Sequence, residues 1–234
     1  MTALRLFLTL ITVLTLALVL AIYTLGPVAL ESAQNRVPGD KGEAPSPDAM
    51  ALHQSLDIAD LHADKLLWYR SMLERSDRGQ VDVPRMLNGK MAIQMLTVVT
   101  KSPSGQNYDS NSAKAGDNIT LLALIQRWPL STRNSLFERA IYQADRLHAF
   151  AAESDSLAVV TSSEELKHVL KPRKDGSELI AGLLGTEGSH ALDGDLYNIE
   201  RLHDSGFRMT SLQHFFNNKL GGSLHGESNT GLTD

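Results

Sequence analysis

Five short apolar runs, separated by segments of helical periodicity, constrain the fold of this 234-residue chain more than any other feature. Buried strands that alternate with helices are typical of a parallel β-sheet, because each helix carries the chain back to begin the next strand. The sequence therefore predicts an α/β fold. The predicted strands are 57–61, 92–99, 157–161, 179–185 and 208–213.

Helical patterns fill the intervals between these strands, at 64–75, 136–154, 164–170 and from Leu196 to Leu202. Ser162 and Glu165 form a capping-box pattern that predicts the start of the third of these helices. Asp195 is the predicted cap of the fourth, which Gly206 ends. The polar segment 107–118 is predicted to be a loop or lid at the rim.

Side chains that can bind metal follow three of the predicted strands. His62 and Asp64 are two positions apart on an extended segment, so their side chains point to the same face. Glu187 follows the fourth strand and His214 follows the fifth. Imidazole and carboxylate groups suit a divalent ion such as zinc.

Ligands at the ends of several strands are typical of a (β/α)8 TIM-like barrel, whose active site lies at the carboxyl ends of the strands. A doubly wound sheet is the alternative, but no glycine-rich phosphate loop follows the first strand. A barrel usually needs about 250 residues. With about five strands visible, we expect the chain to contain only the N-terminal part of a barrel.

The first 30 residues predict a membrane-spanning helix. Residues 6–30 carry no charge, and about 20 apolar residues suffice to cross a bilayer. Arg5 precedes this run and Glu31 follows it, so the folded part is predicted on the extracytoplasmic side. A cleaved signal peptide is the alternative, but the apolar run is long and no clear cleavage site follows it.

The domain boundaries follow from this pattern. We expect an anchor at 1–30, a flexible, proline-containing linker at 31–50 and the enzyme-like part at 51–234. A net charge of −5 and a pI near 5.9 argue against a nucleic-acid partner. The absence of cysteine excludes disulfides and thiolate metal sites.

Four sequence blocks occur in an order that resembles one enzyme family. They are Asp-Leu-His-Ala-Asp at 60–64 with Trp68 after it, Val-Asp-Val-Pro-Arg-Met at 81–86, Gly-Thr-Glu-Gly-Ser-His at 185–190, and Gly-Phe-Arg-Met-Thr-Ser-Leu-Gln-His at 206–214 with Asn217 and Asn218. Together they resemble the membrane (renal-type) dipeptidases, zinc peptidases of the amidohydrolase-like barrel class. Ala63 and Ser189 stand where that family often has Asn and Gly.

The resemblance implies a role for each candidate residue. His62 and Asp64 would bind one zinc ion, and Glu187 would bridge two. His214 would contact the substrate, so Glu187 and His214 are the catalytic candidates. The family takes two further histidines, an arginine and an aspartate from later strands, so we expect little turnover from these 234 residues alone.

Each candidate also has a purely structural interpretation. Taken singly, Glu187 is a helix-start carboxylate, His214 is a hydrogen-bonded loop residue and Trp68 is a core residue. His190 either orients Glu187 or packs at a helix start. The 82–85 block is expected to be a structural connection, with Arg85 on a solvated or ion-paired face. The remaining histidines are expected to be surface or packing residues.

The sequence thus predicts a membrane-anchored zinc dipeptidase that hydrolyses the amide bond of a dipeptide. The predicted partners are the substrate and the bilayer, and a homodimer is left open. Two alternatives remain. One is another amidohydrolase, acting on an acyl-amino acid, a lactam or a lactone. The other is an inactive relative that serves as a membrane-tethered binding protein.

Overall fold

The computed structural model describes residues 2–37, 39, 42–228 and 230–233 of the chain. Seven α-helices and five β-strands alternate along it. The helices are α1 (Thr2–Gln34), α2 (Pro47–Gln54), α3 (Val83–Asn88), α4 (Asn118–Ile125), α5 (Leu136–Ala152), α6 (Ser163–Leu170) and α7 (Asn198–Asp204). The strands are β1 (Ile58–Ala63), β2 (Met91–Val98), β3 (Leu157–Val159), β4 (Ile180–Thr186) and β5 (Phe207–Thr210).

All five strands belong to one parallel sheet with β4 at its centre. β4 pairs with β2 along its length, with β3 near its amino end and with β5 near its carboxyl end. β1 pairs with β2 at the edge of the sheet. The predicted α/β class, with about five parallel strands after one N-terminal apolar helix, is confirmed.

The main core lies between the sheet and α5. Ala140, Ala144 and Leu147 recur at helical spacing and are fully buried against β4, which contributes Ile180 and Leu184. An apolar stripe three to four residues apart places one helix face on the sheet. The predicted amphipathic helix at 136–154 is confirmed, and its packing fixes β4 in the interior.

The helix predicted at 64–75 is wrong, since only a 3₁₀ turn at Lys65–Leu67 forms there. Side chains, rather than a regular helical ladder, satisfy its carbonyl groups. Arg146 donates to the carbonyl of Leu66 at 2.5 Å, and the buried Lys65 ammonium donates to the carbonyl of Arg70 at 2.8 Å. These bonds hold the segment in an irregular path below the end of β1.

The capping box of α6 is confirmed. The hydroxyl of Ser162 accepts from the backbone N–H of Glu165 at 3.2 Å, and the Glu165 carboxylate accepts from the N–H of Thr161 at 2.6 Å. The cap predicted at Asp195 is wrong in detail. Its carboxylate accepts from the N–H of Tyr197 in a local turn, and α7 begins only at Asn198.

The helix α1 extends four residues past the boundary expected after residue 30. In this last turn Glu31 is only 1% exposed and accepts hydrogen bonds from Arg70 at 2.7 Å and Arg78 at 3.3 Å. Among the described residues, α1 is the one helix long and apolar enough to cross a membrane, with a mean hydropathy of 2.6 over its most apolar window.

A buried arginine ties α5 to the loop before α4. Arg139 donates to the carboxylate of Asp117 and to the carbonyls of Thr100 and Thr132 at 2.5–2.7 Å.

We predict that Arg139→Leu lowers the free energy of unfolding by about 3–5 kcal/mol, because the three acceptors of Arg139 lose their donor. Urea denaturation measures the change. Arg133→Leu, at an exposed position of the adjoining turn, should change it by about 0.5 kcal/mol or less. Equal effects of the two substitutions would contradict the role given to Arg139.

Candidate metal centre

The parallel strands bring the predicted ligands together at one edge of the sheet. His62 lies near the end of β1 and Asp64 directly follows that strand. Glu187 directly follows β4, and His214 lies four residues after β5. One ligand atom from each of His62, Asp64 and Glu187 lies within 4.8 Å of the others.

The spacing of these atoms fits a small divalent ion. His62 Nε2 is 3.5 Å from Asp64 Oδ1 and 3.4 Å from Glu187 Oε1. Ligands about 2.1 Å from a tetrahedral zinc ion stand about 3.4 Å apart. An imidazole and two carboxylates also supply the nitrogen and oxygen donors that zinc accepts. The residues present therefore fit a zinc-type metal.

Asp64 is held in place by β2. Its Oδ1 accepts a hydrogen bond from the Thr97 hydroxyl at 2.5 Å. Burial raises the pKa of Asp64 above its usual value, and this hydrogen bond opposes the shift only in part. A desolvated carboxylate with few partners gains free energy when a cation binds beside it.

The pKa of Glu187 is shifted in the opposite direction from that of Asp64. Burial raises its pKa, but the hydrogen bond and charge of His214, with a smaller effect of His62, bring the net pKa below the usual value. His214 Nε2 is 3.1 Å from Glu187 Oε1. Glu187 is therefore ionised at neutral pH, with two histidines beside one of its oxygens.

The residue after Glu187 must be glycine. Gly188 has φ +98°, and a Cβ there would lie 2.4 Å from the ring of His190 and 3.2 Å from the Cβ of His214. Because both the backbone conformation and the close approach exclude a larger residue, Gly188 allows His214 to reach Glu187.

His190 does not orient Glu187 through a hydrogen bond. Both of its ring nitrogens are buried and have no hydrogen-bond partner within the described part of the chain. Burial lowers its pKa to about 3, so the ring is neutral. It packs against Phe216, with the ring centroids 4.7 Å apart. Of the two interpretations offered from the sequence, packing is the one that this contact supports.

Three side chains that support the centre, those of Thr97, Asp60 and Gln94, were given no role from the sequence. Besides Thr97, the carboxylate of Asp60 accepts from the N–H of His62 at 3.1 Å and from the Gln94 side chain at 2.9 Å. Gln94 and Thr97 are buried polar residues inside the apolar run of β2. Polar groups at such positions need partners, so their presence was a usable signal.

Two other residues of the four sequence blocks, Trp68 and Arg85, have partners that the structure shows. Trp68 is partly buried against the small cluster around Leu67, and it also lines a groove of about 300 Å³ that contains His62 and Asp64. Arg85 pairs with Asp82, a fully buried residue that caps α3. The structural interpretation of the 81–86 block is therefore supported.

Residues 47–234 match the sequence family described as Membrane dipeptidase (Peptidase family M19). The chain belongs to this family. This match confirms the resemblance inferred from the four blocks, and it agrees with the metal-binding character of the strand ends. The comparison with curated proteins gives no match.

Two solved structures are similar to the chain. One is a crystal structure described as dipeptidase AC, a metallopeptidase of family M19; it is 18% identical with a TM-score of 0.48, and the match covers 68% of this chain and 43% of that one. The other is a metallopeptidase from Rhodobacter sphaeroides liganded with a phosphinate mimic of L-Ala-D-Ala; it is 16% identical with a TM-score of 0.47, over 72% and 48%. The chain thus spans less than half the length of either structure.

Thr97 provides a test of the centre that does not depend on catalysis. We predict that Thr97→Val weakens zinc binding by about 10- to 100-fold, because Asp64 loses the hydrogen bond that orients it. Competition with a fluorescent zinc chelator measures the affinity.

Thr100→Val is the matched control for this substitution. Thr100 is equally buried just beyond β2, and its hydroxyl has no hydrogen-bond partner among the residues described. The control should leave zinc affinity unchanged. Equal zinc affinities for the two variants would remove the supporting role of Thr97.

Proposed function

We propose that the protein is a membrane-anchored, zinc-dependent dipeptidase with a two-metal active site on the extracytoplasmic side. The observation that carries the proposal is the convergence of His62, Asp64, Glu187 and His214 at one sheet edge, in a chain of the membrane dipeptidase family.

His62, Asp64 and Glu187 would have different roles in metal binding because their side chains differ in chemistry. His62 and Asp64 would hold one metal ion. Glu187, with two carboxylate oxygens and a lowered pKa, would lie between two ions and offset their charge. When bound, such ions supply a water with a pKa of about 7 and polarise the amide carbonyl. The partly buried carboxylates place this chemistry where little water competes.

His214 is suited to act on the substrate. Its Nε2 lies 3.1 Å from Glu187, so the ring adjoins the carboxylate at the centre of the site. A ring N–H at this position can donate to negative charge that develops on the amide oxygen during attack. We assign His214 to stabilising that charge and to binding substrate.

The membrane part of the proposal rests on α1. Its apolar stretch follows Arg5 and precedes Glu31, the charge order expected for a cytoplasmic amino terminus and an exported domain. We propose residues 1–30 as the anchor and 51–234 as part of the enzyme domain. The segment between them includes the last turn of α1 and the start of α2.

Removal of the bridging carboxylate should abolish both metal binding and turnover. We expect Glu187→Gln in the full-length protein to lower kcat/KM for dipeptides by about 10³-fold or more, with zinc content reduced in elemental analysis. Glu178→Gln is the control, because Glu178 is exposed at the amino end of the same strand. Unchanged turnover in Glu187→Gln would reject the role of Glu187.

Chelation separates the possible functions. The full-length protein should lose dipeptide hydrolysis after metal removal and regain it when zinc is restored. Zinc binding without hydrolysis of any tested amide would instead indicate a binding protein. Hydrolysis restricted to acyl-amino acids, lactams or lactones would indicate another amidohydrolase. A folded protein that binds no metal would reject the site itself.

A further inference from the structure

We propose that the carboxyl end of α4 and the turn after it rest on the headgroup region of the membrane that α1 crosses. The folded domain would then contact the bilayer in one fixed orientation, rather than being connected to it only by a flexible linker. This inference rests on the membrane anchoring proposed above and goes beyond it, because it assigns a second lipid-contacting surface.

The first observation is a buried ionic contact between α1 and the folded domain. The Glu31 carboxylate is 1% exposed and lies between Arg70, at 2.7 Å, and Arg78, at 3.3 Å. One residue beyond the helix, the carbonyl of Asn35 accepts from the N–H of Gly79 at 2.7 Å. A buried carboxylate with two guanidinium partners is costly to separate, so the last turn of α1 is fixed to the domain.

A second contact lies two turns earlier along α1. The guanidinium of Arg127 stacks between two tyrosine rings, 4.3 Å from the centroid of Tyr23 and 4.9 Å from that of Tyr69. Arg127 has φ +61°, a conformation that is strained for a side chain of this size. The backbone of Arg127 is therefore strained in the conformation that places its guanidinium beside Tyr23 of α1.

The same contacts give the direction of α4. A Cβ at Gly26 would be 3.2 Å from the Ile125 side chain, at the end of α4. Asn118, at the start of α4, lines a groove with Gln34 and Leu30. α4 therefore runs antiparallel to α1, and its carboxyl end points toward the apolar span.

The length of α1 places this end at the membrane surface. Large apolar side chains from Leu4 to Leu25 are exposed along the helix. About 20 residues at 1.5 Å each cover the roughly 30 Å of a hydrocarbon core. The span then ends close to Tyr23, where the stacked tyrosines and arginine match the composition of a membrane interface.

Exposed leucines of the folded domain lie near the same end of the span as Tyr23. Leu124 is 56% exposed at the end of α4, and Leu130 is 69% exposed in the turn that follows. Residues 118–137 contain no acidic side chain and two arginines, Arg127 and Arg133. Apolar side chains among cations suit the boundary between lipid tails and anionic headgroups. Continuity with α1 thus favours lipid as the occupant of this surface.

The chain contains no cysteine, so single cysteines can be labelled without background. Leu124→Cys and Leu130→Cys report on the proposed surface, and Leu14→Cys reports on the span. Leu196→Cys, at a leucine that is 62% exposed before α7, is the matched control. Each full-length variant, carrying a polarity-sensitive fluorophore, is placed in vesicles of phosphatidylcholine and phosphatidylglycerol with or without brominated acyl chains.

We expect brominated lipid to quench the labels at positions 14, 124 and 130 and to leave the label at 196 unchanged. The labels at 124 and 130 should also emit at shorter wavelength than the control. If the label at position 14 is quenched while those at 124 and 130 behave like the label at 196, the result supports the membrane anchor. It then rejects the proposed lipid contact of α4 and the turn after it. Quenching at 124 and 130 without quenching at 14 would keep the lipid surface and reject the span. No quenching at any position would reject both.

Discussion

The continuous hydrogen-bonded register between β2 and β4 is the constraint on which the candidate site depends. The two strands pair from Ile93 with Ala181 to Val98 with Thr186 without a shift. The next N–H, that of Glu187, donates to the carbonyl of Val98 at 3.1 Å. The backbone thus fixes where Glu187 leaves the sheet, and the buried core beneath β4 holds that register against slippage.

The surroundings of Asp64 and Glu187 shift the pKa values of these two carboxylates in opposite directions. Asp64 is raised in pKa by burial, with Thr97 as its hydrogen-bond donor. Glu187 is lowered in net because His214 and His62 outweigh burial. A cation placed between them would relieve the desolvation of the first and replace the histidine contacts of the second. The two carboxylates and the neighbouring imidazoles are therefore suited to hold a positive ion.

The sequence was sufficient to predict the strands and to place the four candidate residues at one edge of the sheet. Apolar runs identify buried strands, and side chains just after such runs share the carboxyl edge of a parallel sheet. It failed at 64–75, where the helical spacing of Leu66, Leu67 and Leu73 reflects burial in an irregular segment. That segment depends on Lys65 and on Arg146 from α5, and contacts across the fold have no local sequence signal.

The continuation of α1 past residue 30 also depends on contacts that are distant in the sequence. Glu31 ends the uncharged run, so by composition it belongs to a soluble linker. Its partners, Arg70 and Arg78, lie some 40 residues on, and only the folded structure shows that the carboxylate is internal. The polar residues after position 30 therefore gave no sign that the helix α1 continues to Gln34. Likewise, the polar Thr97 inside the apolar run of β2 indicated that it needs a partner, but only the pairing of β1 with β2 shows that this partner is Asp64.

The internal position of Glu31 has a consequence for cleavage of the chain next to this residue. A protease that cuts after this residue would remove the sole glutamate between two guanidinium groups that are mostly buried, Arg70 and Arg78. The carboxylates left beside them would be Asp82, 3.7 Å from Arg70, and the exposed Asp77, 2.9 Å from Arg78. The fragment would therefore lose the closest buried partner of Arg70 and part of its stability. Cleavage at that point would therefore yield a destabilised product, because the last turn of α1 is part of the folded structure.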